Sequence, residues 1–164
     1  MTFEPVTSDS QINQTAELAK EIWTDHFTPI IGPDQVNYML DTIQSADAIT
    51  NQIRHQKYQY FLITPDRYPI GYFAILYQTD ELFLSKLYIQ KQMRSKGCAR
   101  QTLDYIKSIA HKKNIRKITL TVNKNNPGPI AAYEKLGFIN KGSIIKDIGS
   151  GFIMDDFQME LNLQ

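Results

Sequence analysis

Leu82-Phe83-Leu84-Ser85-Lys86-Leu87-Tyr88-Ile89 leads through a polar run, Gln90 to Lys96, into Gly97-Cys98-Ala99, and further on comes Lys117-Ile118-Thr119-Leu120-Thr121-Val122. The first run is rich in aromatic and branched side chains and reads as a strand. The last alternates, with Ile118, Leu120 and Val122 on one side and Thr119 and Thr121 on the other, as a half-buried strand requires. Between them Ala99, Thr102, Leu103, Ile106, Ile109 and Ala110 fall on one helical face. A strand, helix, strand unit normally closes as a right-handed crossover, so the two strands are expected to lie parallel.

Upstream, Tyr58 to Ile63 and Ile70 to Tyr77 are further β-rich runs, with turns at Pro65-Asp66 and Gln78-Thr79-Asp80. With Leu82–Ile89 they make an antiparallel meander. Earlier still, Ile12, Ala16, Ala19, Ile22 and Trp23 mark an amphipathic helix between Ser10 and Phe27, with Asp9 or Ser10 as its cap. Gly32-Pro33-Asp34 restarts the chain into a helix carrying Val36, Met39, Leu40 and Ile43, and a less regular helical stretch runs towards His55. Downstream, Asn125-Asn126-Pro127 opens a short helix that Gly137 closes. Strands Ile139 to Lys146 and Phe152 to Leu161 follow, joined by Gly149-Ser150-Gly151. The order ααβββαβαββ predicts an α+β or α/β fold, a mixed β-sheet flanked by helices, with residues 1–164 as a single domain.

A chain of 164 residues, 42% hydrophobic, closes one core. Lys+Arg 18 against Asp+Glu 17 leaves a net charge of +1, which gives no overall field to draw the molecule to nucleic acid or an anionic membrane. The single cysteine, Cys98, has no intramolecular disulfide partner. The N-terminus lacks a signal-peptide pattern, and no apolar run approaches the roughly 20 residues that span a bilayer. A cytoplasmic protein is the expectation.

Arg94-Ser95-Lys96-Gly97-Cys98-Ala99 joins a strand end to a helix start, where backbone N–H groups lack intrahelical partners and attract anions. Gly97 lets a phosphate approach the backbone, Ala99 is small, and Lys91, Arg94, Lys96 and Arg100 add local positive charge. Neither G-x-x-x-x-G-K-[ST] nor G-x-G-x-x-G occurs, so a P-loop nucleotide and a dinucleotide are both disfavoured. A surface helix start with solvated cations is the competing reading of this loop.

Leu87-Tyr88-Ile89, Arg94 to Ala99, Val122-Asn123-Lys124-Asn125-Asn126 and Ile130-Ala131-Ala132-Tyr133-Glu134-Lys135-Leu136-Gly137-Phe138 together resemble the GNAT superfamily of N-acetyltransferases. The element order agrees with that family's fold over nearly the whole chain. The resemblance implies acetyl-CoA as co-substrate, with no metal. It implies that main-chain groups of Leu87, Tyr88 and Ile89 line the pantetheine, and that the amides from Arg94 through Ser95, Lys96, Gly97, Cys98 and Ala99 to Arg100 grip the pyrophosphate. Asn126 falls where the family places a side chain near the cofactor's arm, and Tyr133 falls beside the thioester sulfur as general acid. Pro129 stands where alanine is more usual. Cys98 falls where the family usually has an apolar side chain, which implies structural filler. Read without the resemblance, Tyr133 shares a helical face with Ile130 and Leu136 and is a core aromatic.

An amine must be neutral to attack a thioester, so a base or a desolvating site is needed. Glu81, Asp25, His26, Asp155 and Asp156 are the candidate bases. Adjacent Asp155 and Asp156 point to opposite faces of a strand. Trp23, His26, Phe27 and Asp155 are expected to form the acceptor wall, suited to a small-molecule amine or a peptide N-terminus. Two other readings compete: a non-catalytic acyl-CoA-binding regulatory domain, and a nucleic-acid module using Lys112, Lys113, Arg116 and Lys117. That basic run also suits a helix C-terminus. A homodimer remains open.

Overall fold

A computed structural model describes residues Met1–Gln164. Strands β1 (Thr2–Pro5), β2 (Gln59–Thr64), β3 (Gly71–Tyr77), β4 (Leu82–Ile89), β5 (Lys117–Asn123), β6 (Ile139–Gly149) and β7 (Phe152–Asn162) form one seven-stranded sheet in the order β1-β2-β3-β4-β5-β7-β6. Helices α1 (Asp9–Ile31), α2 (Pro33–Thr42) and α3 (Ala46–His55) precede β2, while α4 (Cys98–Lys112) and α5 (Pro127–Lys135) flank β5. The crossover is as expected: β4 and β5 are parallel and every other pair is antiparallel.

The feature that positions the site is how briefly β4 and β5 meet. They pair only at Leu82 with Ile118 and at Phe83 with Thr119. On its other edge β4 carries a bulge, since Ala74 faces Lys86 and Ile75 faces Leu84, leaving Ser85 as the extra residue. A bulge bends its strand and raises the local twist, so β4 leaves β5 just past the paired residues. β5 meanwhile stays in register with β7 from Lys117–Asn162 to Asn123–Asp156. A wedge therefore opens through the sheet.

Each face has its own core. Leu84, Phe73, Ile75 and Leu120 pack with Leu103 and Ile106 of α4, and Tyr133 and Leu136 of α5 join them. On the opposite face Tyr60, Leu62, Tyr72 and Ala74 meet Ile12, Ala19, Ile22 and Trp23 of α1 with Val36, Met39 and Ile49. Burying a branched or aromatic side chain stabilises by about 1.5–3 kcal/mol. The second face also holds a polar chain: Tyr72 Oη donates to Gln44 Oε1 (2.6 Å), Gln44 Nε2 donates to Tyr60 Oη (3.0 Å), and Tyr60 Oη donates to Gln52 Oε1. It fixes α3 and the α2–α3 turn against the sheet.

The structure differs from the sequence reading at the N-terminus. β1 was not expected. It is a four-residue edge strand, too short for alternation to be read, and it exists because β2 offers it a partner from Thr2–Thr64 to Pro5–Phe61. The cap of α1 is Ser8, one residue before Asp9 and two before Ser10: its Oγ accepts from the Gln11 amide (3.2 Å) while Gln11 Oε1 accepts from the Ser8 amide (3.1 Å). That capping box supplies orphan donors with acceptors at both residues. α1 also continues past Phe27 through Pro29 to Ile31, where Gly32 turns the chain at φ 85°. The less regular stretch is a helix in its own right, capped by Ser45 Oγ accepting from the Ala48 amide (3.1 Å).

Gly71 lies opposite Ile89, and a Cβ there would stand 2.2 Å from the Tyr88 carbonyl oxygen. Backbone on both sides leaves nowhere to move. Gly71→Ala is expected to destabilise by about 1–3 kcal/mol, as overpacking does, read as a lower urea midpoint; an unchanged midpoint would show that β3 and β4 separate freely.

Candidate active site

The wedge holds a cavity of about 810 Å³ that runs from the start of α4 through the sheet to the α1–α2 side. Leu87, Ile89, Leu120, Val122, Tyr133 and Leu136 line it on the α4–α5 side. Phe27, Met39, Tyr88, Met154 and Asp156 line it with the other helices. No helix of the structure is long and apolar enough to cross a membrane.

At its entrance the backbone is arranged for an anion. Ser95 (φ 61°) and Gly97 (φ 80°) are left-handed, and α4 begins without a side-chain cap. The Arg94 amide donates to Lys91 O (3.2 Å) and the next paired amide is that of Gln101, donating to Gly97 O (3.0 Å). The amides of Ser95 through Arg100 between them have no protein acceptor. Successive N–H groups in such turns form a concave anion site, and the helix dipole strengthens it. A Cβ on Gly97 would meet nothing within 4 Å, so the space in front of the loop is free.

Arg94 itself is committed elsewhere. Its Nε–H donates to Ile89 O (2.9 Å), and Nη1 stands 3.5 Å from His26 Nδ1. His26 Nε2 lies 2.9 Å from Asn126 Oδ1. With that oxygen accepting, the proton is on Nε2 and the Nδ1 lone pair faces the guanidinium. Burial first, then the Arg94 charge, pushes His26 below its usual range. A neutral imidazole thus bridges the two arms of the wedge.

Three oxygen acids meet inside. The Tyr133 ring packs edge-on against Phe138 (5.4 Å), and burial pushes its phenol up to about 12. Asp156 is 5% exposed with Oδ1 unpartnered; burial, and then the Asp155 charge, push its carboxyl up to about 6. Tyr88 is held well above its normal value by burial and by the proximity of Tyr133 and Asp156. A neutral phenol and a carboxylate poised near neutral pH thus both neighbour Tyr88 inside the cavity.

Residues 27–161 match the model of the acetyltransferase (GNAT) domain. The chain belongs to the GNAT family. It is therefore an acyltransferase by family. Solved structures with the same fold include the PaiA N-acetyltransferase of Thermoplasma acidophilum in complex with coenzyme A, 21% identical, with 99% of each chain covered and a TM-score of 0.78. The ribosomal-protein-S18-alanine N-acetyltransferase of Escherichia coli is 16% identical over 99% of this chain and 93% of its own, TM-score 0.73. A spermidine N-acetyltransferase SpeG chimera from Vibrio cholerae and hSSAT is 18% identical over 99% and 96%, TM-score 0.70.

Within this GNAT fold most of the residues singled out from the sequence converge. Leu87, Tyr88, Ile89, Arg94, Ser95, Gly97, Cys98, Ala99, Asn126 and Tyr133 line the cavity, as do His26 and Phe27. The Lys96 and Arg100 side chains are exposed outside the lining, and only their amides face the loop's concavity. Cys98 is 6% exposed and joins the α4-side core.

Two residues expected in the acceptor wall do not line the cavity. Trp23 does not reach the cavity; it is buried behind it and packs edge-on to Phe27 (5.6 Å) and Tyr88 (5.3 Å), holding the wall in place. Asp155 points the other way, its Oδ1 2.7 Å from Lys124 Nζ, and the strand alternation gives the inward place to Asp156. Of the remaining candidate bases, Glu81 is tied to Lys117 (3.1 Å) and Asp25 lies outside the cavity. Lys86, Met39 and Met154 were missed. Lys86 had a signal, as the one charged residue in an apolar strand.

Proposed function

We propose that this GNAT chain transfers an acetyl group from acetyl-CoA to a primary amine, on a small molecule or a peptide N-terminus, by direct attack in a ternary complex. The observation that carries the reading is the run of unpartnered amides from Ser95 to Arg100 opening onto a cavity that contains a neutral phenol and a buried carboxylate. Six-donor geometry of this kind fits a diphosphate, and the relative solved with coenzyme A has the same fold. Leu87 and Ile89 line the path from that loop to Tyr133.

An acceptor that arrives as ammonium first loses one proton to solvent; as the neutral nitrogen forms the C–N bond to the thioester carbonyl carbon, Asp156 takes its second proton. The Gln90 amide donates to the O of Ile70 (2.8 Å), the residue before β3, so by alternation the Ile89 amide faces the wedge, where it stabilises the carbonyl oxygen as charge develops. As the C–S bond breaks, Tyr133 gives its proton to the sulfur, and proton exchange with solvent restores Tyr133 and Asp156. A thiolate is a good leaving group, with a conjugate-acid pKa of only about 8.5, so Tyr133 acts at the low end of acid catalysis. Tyr133→Phe is expected to lower kcat about 10²-fold with the KM for acetyl-CoA essentially unchanged. Thiol-release kinetics with an amine panel measure both, and an unaltered kcat where chemistry limits turnover removes the role from Tyr133.

A further inference from the structure

Lys86 is a buried cation without a counter-ion. Its side chain is on the same side of β4 as Tyr88, two residues deeper in the wedge, and both residues line the cavity. It is 9% exposed, and its Nζ donates to Ser85 Oγ (2.8 Å), which also lines the cavity. The rings of Tyr58 (5.5 Å) and Tyr60 (5.8 Å) flank it, but the Tyr60 hydroxyl is already engaged with Gln44 and Gln52. The four ion pairs of the molecule involve Arg54, Lys117 and Lys124, never Lys86 or Lys146. Burial, and then the positive field of Lys146 on β6, hold the Lys86 ammonium down at about 8.

Lysines are almost never this buried unless paired, because an ammonium loses its hydration and gains nothing in return. Ring faces and one hydroxyl offset part of that cost. The remaining requirement is an anion, and the lining places the ammonium where the acceptor, and not the diphosphate, must lie: the amide cradle is at the α4 end, on the other face of the sheet.

We infer that the acceptor is an amine that also carries a carboxylate, an amino acid or short aminocarboxylate, bound with its carboxylate against Lys86 and Ser85 and its amine towards Asp156. The inference rests on the acetyl-transfer reading above. Two residues of strand rise separate Lys86 from Tyr88, about 7 Å, which suits a compact molecule reaching from the ammonium to the reacting centre. The same field disfavours a polycation.

The test is acetyl-CoA-dependent thiol release with α-amino acids and the ω-aminocarboxylates from glycine to 6-aminohexanoate, each against its primary amide, with spermidine as the polycation. A charge-assisted contact of this kind should favour the preferred acid over its amide by roughly 10- to 100-fold in kcat/KM. In Lys86→Met, which keeps the bulk of the stem, that ratio falls to near one while the KM for acetyl-CoA is unchanged; Lys146→Gln, on the exposed strand, lowers it partially. Amides or spermidine serving the wild-type protein as well as the acids would overturn the inference, a comparison that needs no variant to fold. So would an undiminished acid preference in Lys86→Met. Turnover of no amine at all would instead overturn the acetyl-transfer reading, and this one with it.

Discussion

Asp156→Asn is expected to lower kcat/KM by roughly 10²–10⁴-fold, the usual contribution of a positioned base. The pH profile carries the diagnostic. With the carboxyl at about 6, wild-type activity falls as a single proton is taken up below that pH, and the variant loses this limb. Stability should move the other way. The folded-state pKa is raised above the ordinary aspartate value of 3.8, so the native state binds a proton that the unfolded chain releases. The resulting penalty is absent below about pH 4, grows through pH 4–6 and is complete above it. Two units at 1.36 kcal/mol each make it about 3 kcal/mol. Asparagine should therefore be more stable than the wild type at pH 7.5, with the gap closing by pH 4; urea melts at both pH values measure it. An active variant with an unshifted acid limb would dismiss Asp156 as base.

Gly97→Asp should raise the KM for acetyl-CoA by roughly 100-fold or more. A new negative charge about 6 Å from one phosphate, at an effective dielectric constant near 20, costs about 3 kcal/mol, and the loop is proposed to hold two. The backbone there is at φ 80°, strained for most side chains but accessible to Asp and Asn. Gly97→Asn thus carries the same conformational load without the charge and serves as the control. Asn is expected to be mild and Asp severe; equal effects of the two would mean that the amides of Ser95 to Arg100 hold no anion. Calorimetry with CoA reads the difference directly.

Much of this fold was readable because its signals are local. β4 was placed to the residue, and β5 to within one, because an apolar run bounded by polar turns and a clean alternation need no partner to be recognised. The α4 face was visible in its spacing, and the anion loop in Gly97 following a strand end. β1 was hidden because four residues carry no period, and its strand character comes from the edge of β2. The choice between Asp155 and Asp156 was likewise beyond the sequence. Alternation says that they face opposite ways, but only the pairing of Asn123 with Asp156 says which way is in. Arg94 looked like a phosphate ligand from its position, yet its guanidinium is held by Ile89 O and set against His26, a contact spanning 68 residues of chain.

The sequence alone determined the order of elements from β2 onward, the parallel crossover and the unpartnered turn into α4, because each follows from side-chain period and backbone hydrogen bonding within a short segment. Tertiary structure alone decided that Ser85 bulges and drives β4 off β5. It also decided that Tyr133, Asp156 and Lys86 share the opening so made. Those three come from separate elements, and the burial that raises the phenol and the carboxyl and lowers the ammonium exists only when the elements pack together.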